Sequence, residues 1–201
     1  MEASSPPTGG ASWTPADAGP LGLGAFATTT FMLSMYNAHL VSPVGEPAVL
    51  ALALAFGGIC QLLAGMWEFR SGNTFGAVAF TSYGAFWLSF WAFNVFFAKS
   101  IPAAHVGKDV GLFLYTWGIF TAYMWVASFR TTAAVSLVFL LLTITFFLLA
   151  IGNTGGHVNV IKAGGYLGLA TAIVAWYTSF AGVLNSTFGR TVLPVVPLSR
   201  A

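Results

Sequence analysis

The stretch Gly72–Trp87, GNTFGAVAFTSYGAFW, decides how this chain folds. It opens as a polar turn in which Asn73 or Thr74 can accept the first free N–H groups of a helix. It then continues as an apolar helix whose aromatic residues recur at Phe80, Tyr83, Trp87 and, just beyond, Trp91. Spacings of three and four bring these rings to one face, with a single hydroxyl-bearing ring among them. Such a stripe is either a packing seam between helices or one wall of a passage.

Composition sets the environment of that helix. Of 201 residues, 57% are hydrophobic and 6% charged, and mean hydropathy is +0.83. A surface facing water needs roughly 25% charged residues, so the chain reads as an all-α integral membrane protein. Its net charge of +2 supplies no basic patch, which excludes nucleic acid as a partner. Cys60 is a lone cysteine, and His39, His105 and His157 are scattered, so neither a disulfide nor a metal site is expected. No motif for a cofactor appears either. Residues 1–19 are polar and rich in Pro, Gly and Ser, with no cleavable signal pattern; they are expected to form a mobile tail. Residues 20–194 make one transmembrane domain and 195–201 a short C-terminal tail.

A helix needs about 20 apolar residues to cross the hydrocarbon core. Six segments qualify: Leu21–Val41, Ala48–Trp67, Phe75–Ala98, Val110–Phe129, Ala133–Ile151 and Ala163–Asn185. The alternating strands of a transmembrane barrel are absent. An even span count puts both termini on one side, together with Arg70, Arg130, Arg190 and Arg200, against Lys99, Lys108 and Lys162 opposite. Under the positive-inside rule that balance places the termini in the cytoplasm and the chain, multi-pass, in the cell membrane. Gly-Asn-Thr occurs at 72–74, after the second span, and again at 152–154, after the fifth. The echo suits two three-helix halves in an inverted 3+3 repeat, although it is also ordinary turn chemistry.

Polar residues within the spans point to a route. Phe26, Thr30, Leu33 and Asn37 share one face of the first span, mixing a ring, a hydroxyl and an amide. Thr29 and its neighbours can instead bond back to their own helix. Ala53, Gly57, Gln61 and Ala64 give the second span a close-packing face. That span ends in Trp67-Glu68-Phe69-Arg70, where Glu68 either pairs at the interface or acts as a protonatable group at a pore mouth. Leu142 and Thr143 lie midway along the fifth span. Gly164, Gly168, Ala172, Ala175, Ser179 and Gly182 form a small-residue stripe on the sixth, which either receives a helix or borders a pathway.

Enzyme chemistry is not expected. There is no nucleophile elbow, no H-E-x-x-H and no carboxylate pair within a span. No Lys or Arg lies in the middle of a span, so no fixed cation holds an anion tightly. Hydroxyls, amides and an apolar constriction give the weak binding that fast conduction requires.

The motifs Pro20–Phe26, Gly72-Asn73-Thr74-Phe75-Gly76, Phe80-Thr81-Ser82-Tyr83-Gly84 with Phe86-Trp87, Ala150-Ile151-Gly152-Asn153 and Phe188–Pro194 resemble the acetate uptake transporter family. They occur in order, from about Asp17 to Pro194. The family opening usually reads Asn-Pro-Ala-Pro-Leu-Gly-Leu, and here it is Asp17-Ala18-Gly19-Pro20-Leu21-Gly22-Leu23. The resemblance implies a homohexamer of six-helix protomers with a urea-channel-like fold. Each protomer would carry its own pathway for acetate and similar monocarboxylates, sometimes succinate. It further implies a constriction formed by Phe26, Tyr83 and Leu142, with Ala175 affecting substrate size. The rest of the pathway is expected to involve Thr29, Thr30, Asn37, Glu68, Asn73, Thr143 and Asn153.

At pH 7 a carboxylate with a pKa near about 4.3 is an anion. Moving it inward against a negative-inside potential costs roughly 2.3 kcal/mol per 100 mV, so uphill uptake needs an accompanying proton, whereas export or downhill entry does not; with no acidic relay inside a span, the pathway reads as channel-like, with proton coupling as the alternative. The lack of embedded cations leaves a second reading open: a conduit for a neutral solute such as urea, an amide or ammonia.

Overall fold

The structure, a computed structural model, describes Trp13 and residues 15–198. The tail expected over 1–19 lies mostly outside the described residues, as do Glu2, Arg200 and the end of the 195–201 segment.

Among the described residues, six long helices form a bundle, each started or stopped by identifiable chemistry. Helix α1, Gly19–Asn37, has Pro20 in its first turn, and Asp17 Oδ1 accepts the Gly19 N–H at 2.8 Å. Proline there loses no intrahelical bond. Helix α2 follows a 3₁₀ entry at Pro43–Ala48 and is built in three pieces: Val49–Leu54, a π-helical turn at Ala55–Cys60, and Gln61–Ser71. Gly72, at φ +78°, stops it in the left-handed conformation that glycine tolerates. Asn73 then caps α3, Thr74–Ala92, accepting the Gly76 N–H at 3.1 Å. A second π turn, Phe93–Phe97, extends α3. Helices α4, Ala103–Ser128, α5, Ala133–Gly155, and α6, Val158–Phe188, complete the bundle.

Two expected spans start too late. Helix α4 begins at Ala103 rather than Val110, and α6 at Val158 rather than Ala163. Hydropathy marks where a helix becomes apolar, whereas Pro102 and His157 at the N-cap positions mark where it begins. Lys108 and Lys162 therefore lie within helices, not loops. The second Gly-Asn-Thr is also inside a helix, as the last turn of α5. The turn that does match 72–73 is Gly156-His157, just beyond it. Asn73 has φ −87°, ψ 86° and His157 φ −88°, ψ 89°, each after a left-handed glycine. Each also donates its N–H back along the chain in the same pattern, to Glu68 O and Gly152 O.

Four helical segments are long and apolar enough to cross a membrane: Pro43–Ser71, Ala103–Ser128, Ala133–Gly155 and Val158–Phe188. Helices α1 and α3, with 19 residues each, span about 28 Å at 1.5 Å per residue but are less apolar than those four. Their neighbours shield them. Helix α1 packs along α6, α2 lies against α1 and α3, and α5 sits between α4 and α6. The small residues of α6 divide between two neighbours: Gly168 faces Ser34 and Gly182 faces Pro20 of α1, with Gly165 beside the stripe facing the backbone of Ala38, whereas Gly164 faces Leu148 and Leu149 of α5. On the outer surface, Leu112, Ile119 and Val126, then Leu137, Ile144 and Ile151, then Tyr166, Ile173 and Phe180 recur at heptad spacing and are exposed. These apolar faces suit lipid or a neighbouring protomer.

The last described residues are tied down. Val196 O and Val195 O accept the N–H groups of Ala133 and Ala134, which open α5 and lack intrahelical partners. Asn185 Oδ1 accepts the Val192 and Leu193 N–H groups, its Nδ2 donates to Leu193 O, and the Tyr177 hydroxyl donates to Pro194 O.

Candidate functional site

Two cavities open at opposite ends of the bundle. One, of about 310 Å³, lies at the end where α1 begins and α6 finishes, lined by Asp17, Leu23, Glu68, Asn73, Ala79, Phe139, Thr178 and Asn185 among others. The other, of about 220 Å³, is bordered by Leu33, Asn37, Glu46, Phe86, Asn94, Asp109, Leu149 and Asn153 among others. Between them runs a buried cluster that includes Phe26, Tyr83, Phe86, Phe139, Leu142 and Ala175.

The order of residues along each helix places that cluster. On α1, Leu23 borders the first cavity and Leu33 the second, with Phe26 lining neither. On α3 the sequence is Ala79, Tyr83, Phe86, and on α5 it is Phe139, Leu142, Leu149. Ala175 on α6 lies one turn inward from Thr178. Phe26, Tyr83 and Leu142 are each no more than 5% exposed. The rings of Phe26 and Tyr83 have centroids 5.8 Å apart, and Tyr83 lies 5.5 Å from Phe120 and 6.0 Å from both Phe139 and Trp117. These are ordinary edge and tilted contacts between aromatic rings.

The other residues expected on the pathway divide into two sets. Asn37 and Asn153 border one cavity, and Glu68 and Asn73 the other. Thr29 and Thr143 turn their hydroxyls to their own helices, donating to Ala25 O at 3.0 Å and Phe139 O at 2.7 Å. Thr29 faces Gly57 in the π turn of α2, away from both cavities. Thr30 differs, because its buried Oγ1 has no partner within the protein. A buried hydroxyl left unpaired costs about 1–3 kcal/mol, and Thr30 borders neither cavity.

Glu68 is 2% exposed, and its Oε1 is likewise unpartnered. Its carboxyl sits between the starts of two helices. A Cβ on Gly19 in α1 would lie 3.6 Å from Oε1, and one on Gly76 in α3 would lie 3.0 Å from Oε2. Helix N-termini attract negative charge, which explains how an acidic residue is held there without a basic partner.

Several lining residues are not singled out by the sequence pattern. Glu46 and Asp109 border one cavity, and Asn185 the other. Hydropathy puts Asp109 at a span end because it starts α4 late, and Pro102 is the signal that corrects it. Among the described residues, no lysine or arginine lines either cavity, while each has two acidic ones.

This arrangement has known relatives. The chain is 43% identical to acetate permease A of Emericella nidulans, over 90% of its own length and 65% of that protein. It is 41% identical to ammonia transport outward protein 2 of Saccharomyces cerevisiae, over 84% of this chain and 61% of the relative. The chain thus spans somewhat less than two thirds of the length of these fungal relatives. It is 39% identical to the succinate-acetate/proton symporter SatP of Escherichia coli, over 90% of this chain and 95% of that one. The structure matches that of the bacterial acetate channel SatP with a TM-score of 0.84 at 39% identity, covering 90% and 99% of the two chains. The model of the GPR1/FUN34/yaaH family matches residues 10–200, and this membrane protein belongs to that family.

Proposed function

We propose that each protomer passes acetate and similar small monocarboxylates across the cell membrane, through a path from one cavity to the other. What carries this reading is the position of Phe26, Tyr83 and Leu142. On three separate helices, each falls between a residue bordering one cavity and a residue bordering the other. The three form the constriction, Ala175 limits its width from α6, and Thr30 offers a hydroxyl to a carboxylate one turn beyond Phe26. Asn37 and Asn153 at one mouth, and Asn73 at the other, supply amides that bind a carboxylate weakly. Thr143 keeps its hydroxyl on its own helix and Thr29 packs against α2, so neither offers a proton to the substrate. The acidic residues at both mouths disfavour a bare anion, which supports passage of the substrate together with a proton. Succinate, with a second charge, passes less readily.

All six helices cross the membrane, with both termini in the cytoplasm. The halves α1–α3 and α4–α6 form an inverted repeat, a reading supported by the matching turns at Gly72-Asn73 and Gly156-His157. The protomers assemble as a homohexamer through the apolar outer faces.

The test is acetate flux in proteoliposomes, with the membrane potential clamped and a pH gradient present or absent. Uphill accumulation driven by the pH gradient alone is expected. Downhill flux indifferent to the gradient would leave a plain anion channel. The name of the yeast relative and the absence of basic lining favour a second reading, passage of a neutral solute such as ammonia. Vesicles permeable to ammonia or urea but not to labelled acetate would establish it in place of the first.

A further inference from the structure

We infer that Thr121 on α4 is a positioning residue that withholds the Tyr83 hydroxyl proton from a passing carboxylate. The inference rests on the reading of Tyr83 as one wall of the constriction. Tyr83 and Thr121 place their side-chain oxygens 2.9 Å apart, in a buried contact between α3 and α4. Either oxygen could donate if that bond stood alone. It does not, because Thr121 Oγ1 also lies 2.7 Å from the carbonyl oxygen of Trp117. A carbonyl can only accept, and a threonine hydroxyl has one hydrogen. The Thr121 hydrogen is therefore committed to Trp117, and the hydrogen between Tyr83 and Thr121 must come from Tyr83.

The consequence falls on the substrate. Thr121 is fully buried and Tyr83 nearly so, so water does not compete for this chain of bonds. The phenol points its hydrogen to α4 and leaves only lone pairs for anything at the constriction. A carboxylate needs donors, and its oxygens find none on Tyr83. The substrate is bound weakly at the narrowest point and released quickly, as conduction demands.

Replacing Thr121 with valine keeps its shape and removes the acceptor. The freed Tyr83 O–H, buried and unpaired, then turns to the substrate. Thr121→Val is expected to lower both the half-saturating acetate concentration and the maximal flux several-fold. Thr121→Ser should restore both to the parent values. In a Tyr83→Phe background there is no proton to release, so adding Thr121→Val should change nothing further. A packing role for Thr121 would persist in that background and would overturn the inference. So would a Thr121→Val protein with unchanged half-saturation and maximal flux. If Thr121→Val does not fold, Thr121→Ala measured with and without Tyr83→Phe decides the same point. Tyr83→Ala separates this failure from that of the underlying reading. If Tyr83→Ala alters neither flux nor size selectivity, the constriction is misplaced. If it alters them while Thr121→Val does not, only the positioning role falls.

Discussion

At the scale of single residues, the proposed constriction is a matter of volume and dryness. Leu142 is 3% exposed within a cluster of aromatic and small aliphatic side chains, and Ala175 in the same cluster is fully buried. Leu142→Ala removes a branched side chain from the middle of that cluster. Burial of this kind makes the substitution cost about 2–5 kcal/mol, so thermal stability in detergent should fall. The same lost volume should admit longer carboxylates, raising butyrate flux several-fold relative to acetate in proteoliposomes. A destabilised protein with an unchanged butyrate-to-acetate ratio would make Leu142 a packing residue and nothing more. Ala175→Trp argues the converse, since no space remains beside a residue with no exposure. It should abolish acetate flux, whereas retained flux would place the path elsewhere.

At the scale of the helix, α2 is held between α1 and α3 by close approach of backbones. A Cβ on Gly65 would meet the backbone nitrogen of Thr81 at 2.5 Å and its Cα at 3.0 Å, and backbone cannot swing aside as a side chain does. Gly65→Ala should therefore cost about 1–3 kcal/mol by overpacking and lower the melting temperature in detergent. Ala64→Gly, at the neighbouring fully buried position, lowers helix propensity by about 1 kcal/mol and removes one buried methyl without any clash. An equal loss from both would refute the close-approach argument. The glycine and alanine face of α2 is readable from sequence because small residues at helical spacing let neighbouring backbones approach. The π turn at Ala55–Cys60 is not, because it widens a helix without changing which residues are apolar. Helix starts are hidden for a related reason. The polar first turns of α4 and α6 extend the helix past its apolar core, so hydropathy alone cuts them short. Phe26 and Tyr83 are visible as members of stripes, but a stripe states only that residues share a face. Their place between two cavities depends on how far each helix is offset along the bundle. Local sequence does not encode that offset.

At the scale of the whole molecule, charge and path must be reconciled. Glu46 and Asp109 border one mouth and Asp17 and Glu68 the other, with no lysine or arginine among the described residues lining either. Glu46 and Asp109 are exposed, so they act on an approaching solute through water and ions. Their field reaches roughly 30 Å at 0.01 M salt and about 3 Å at 1 M. Neutralising both, as Glu46→Gln with Asp109→Asn, removes repulsion at the entrance without touching the constriction. If the solute arrives as an anion, acetate entry from that side should rise several-fold at low ionic strength. The gain should vanish as salt approaches about 1 M, where screening is nearly complete, and half-maximal inhibition by longer carboxylates should not move. Charge at the rim of a site changes arrival more than residence, which is why only the rate at low salt is affected. If the acids instead deliver the proton that travels with acetate, the variant should slow entry at every salt concentration. A neutral solute would be indifferent to both substitutions and to salt. Initial rates from oriented vesicles across a salt series thus separate three mechanisms, and flux unchanged at low salt would remove electrostatics from the account of this mouth.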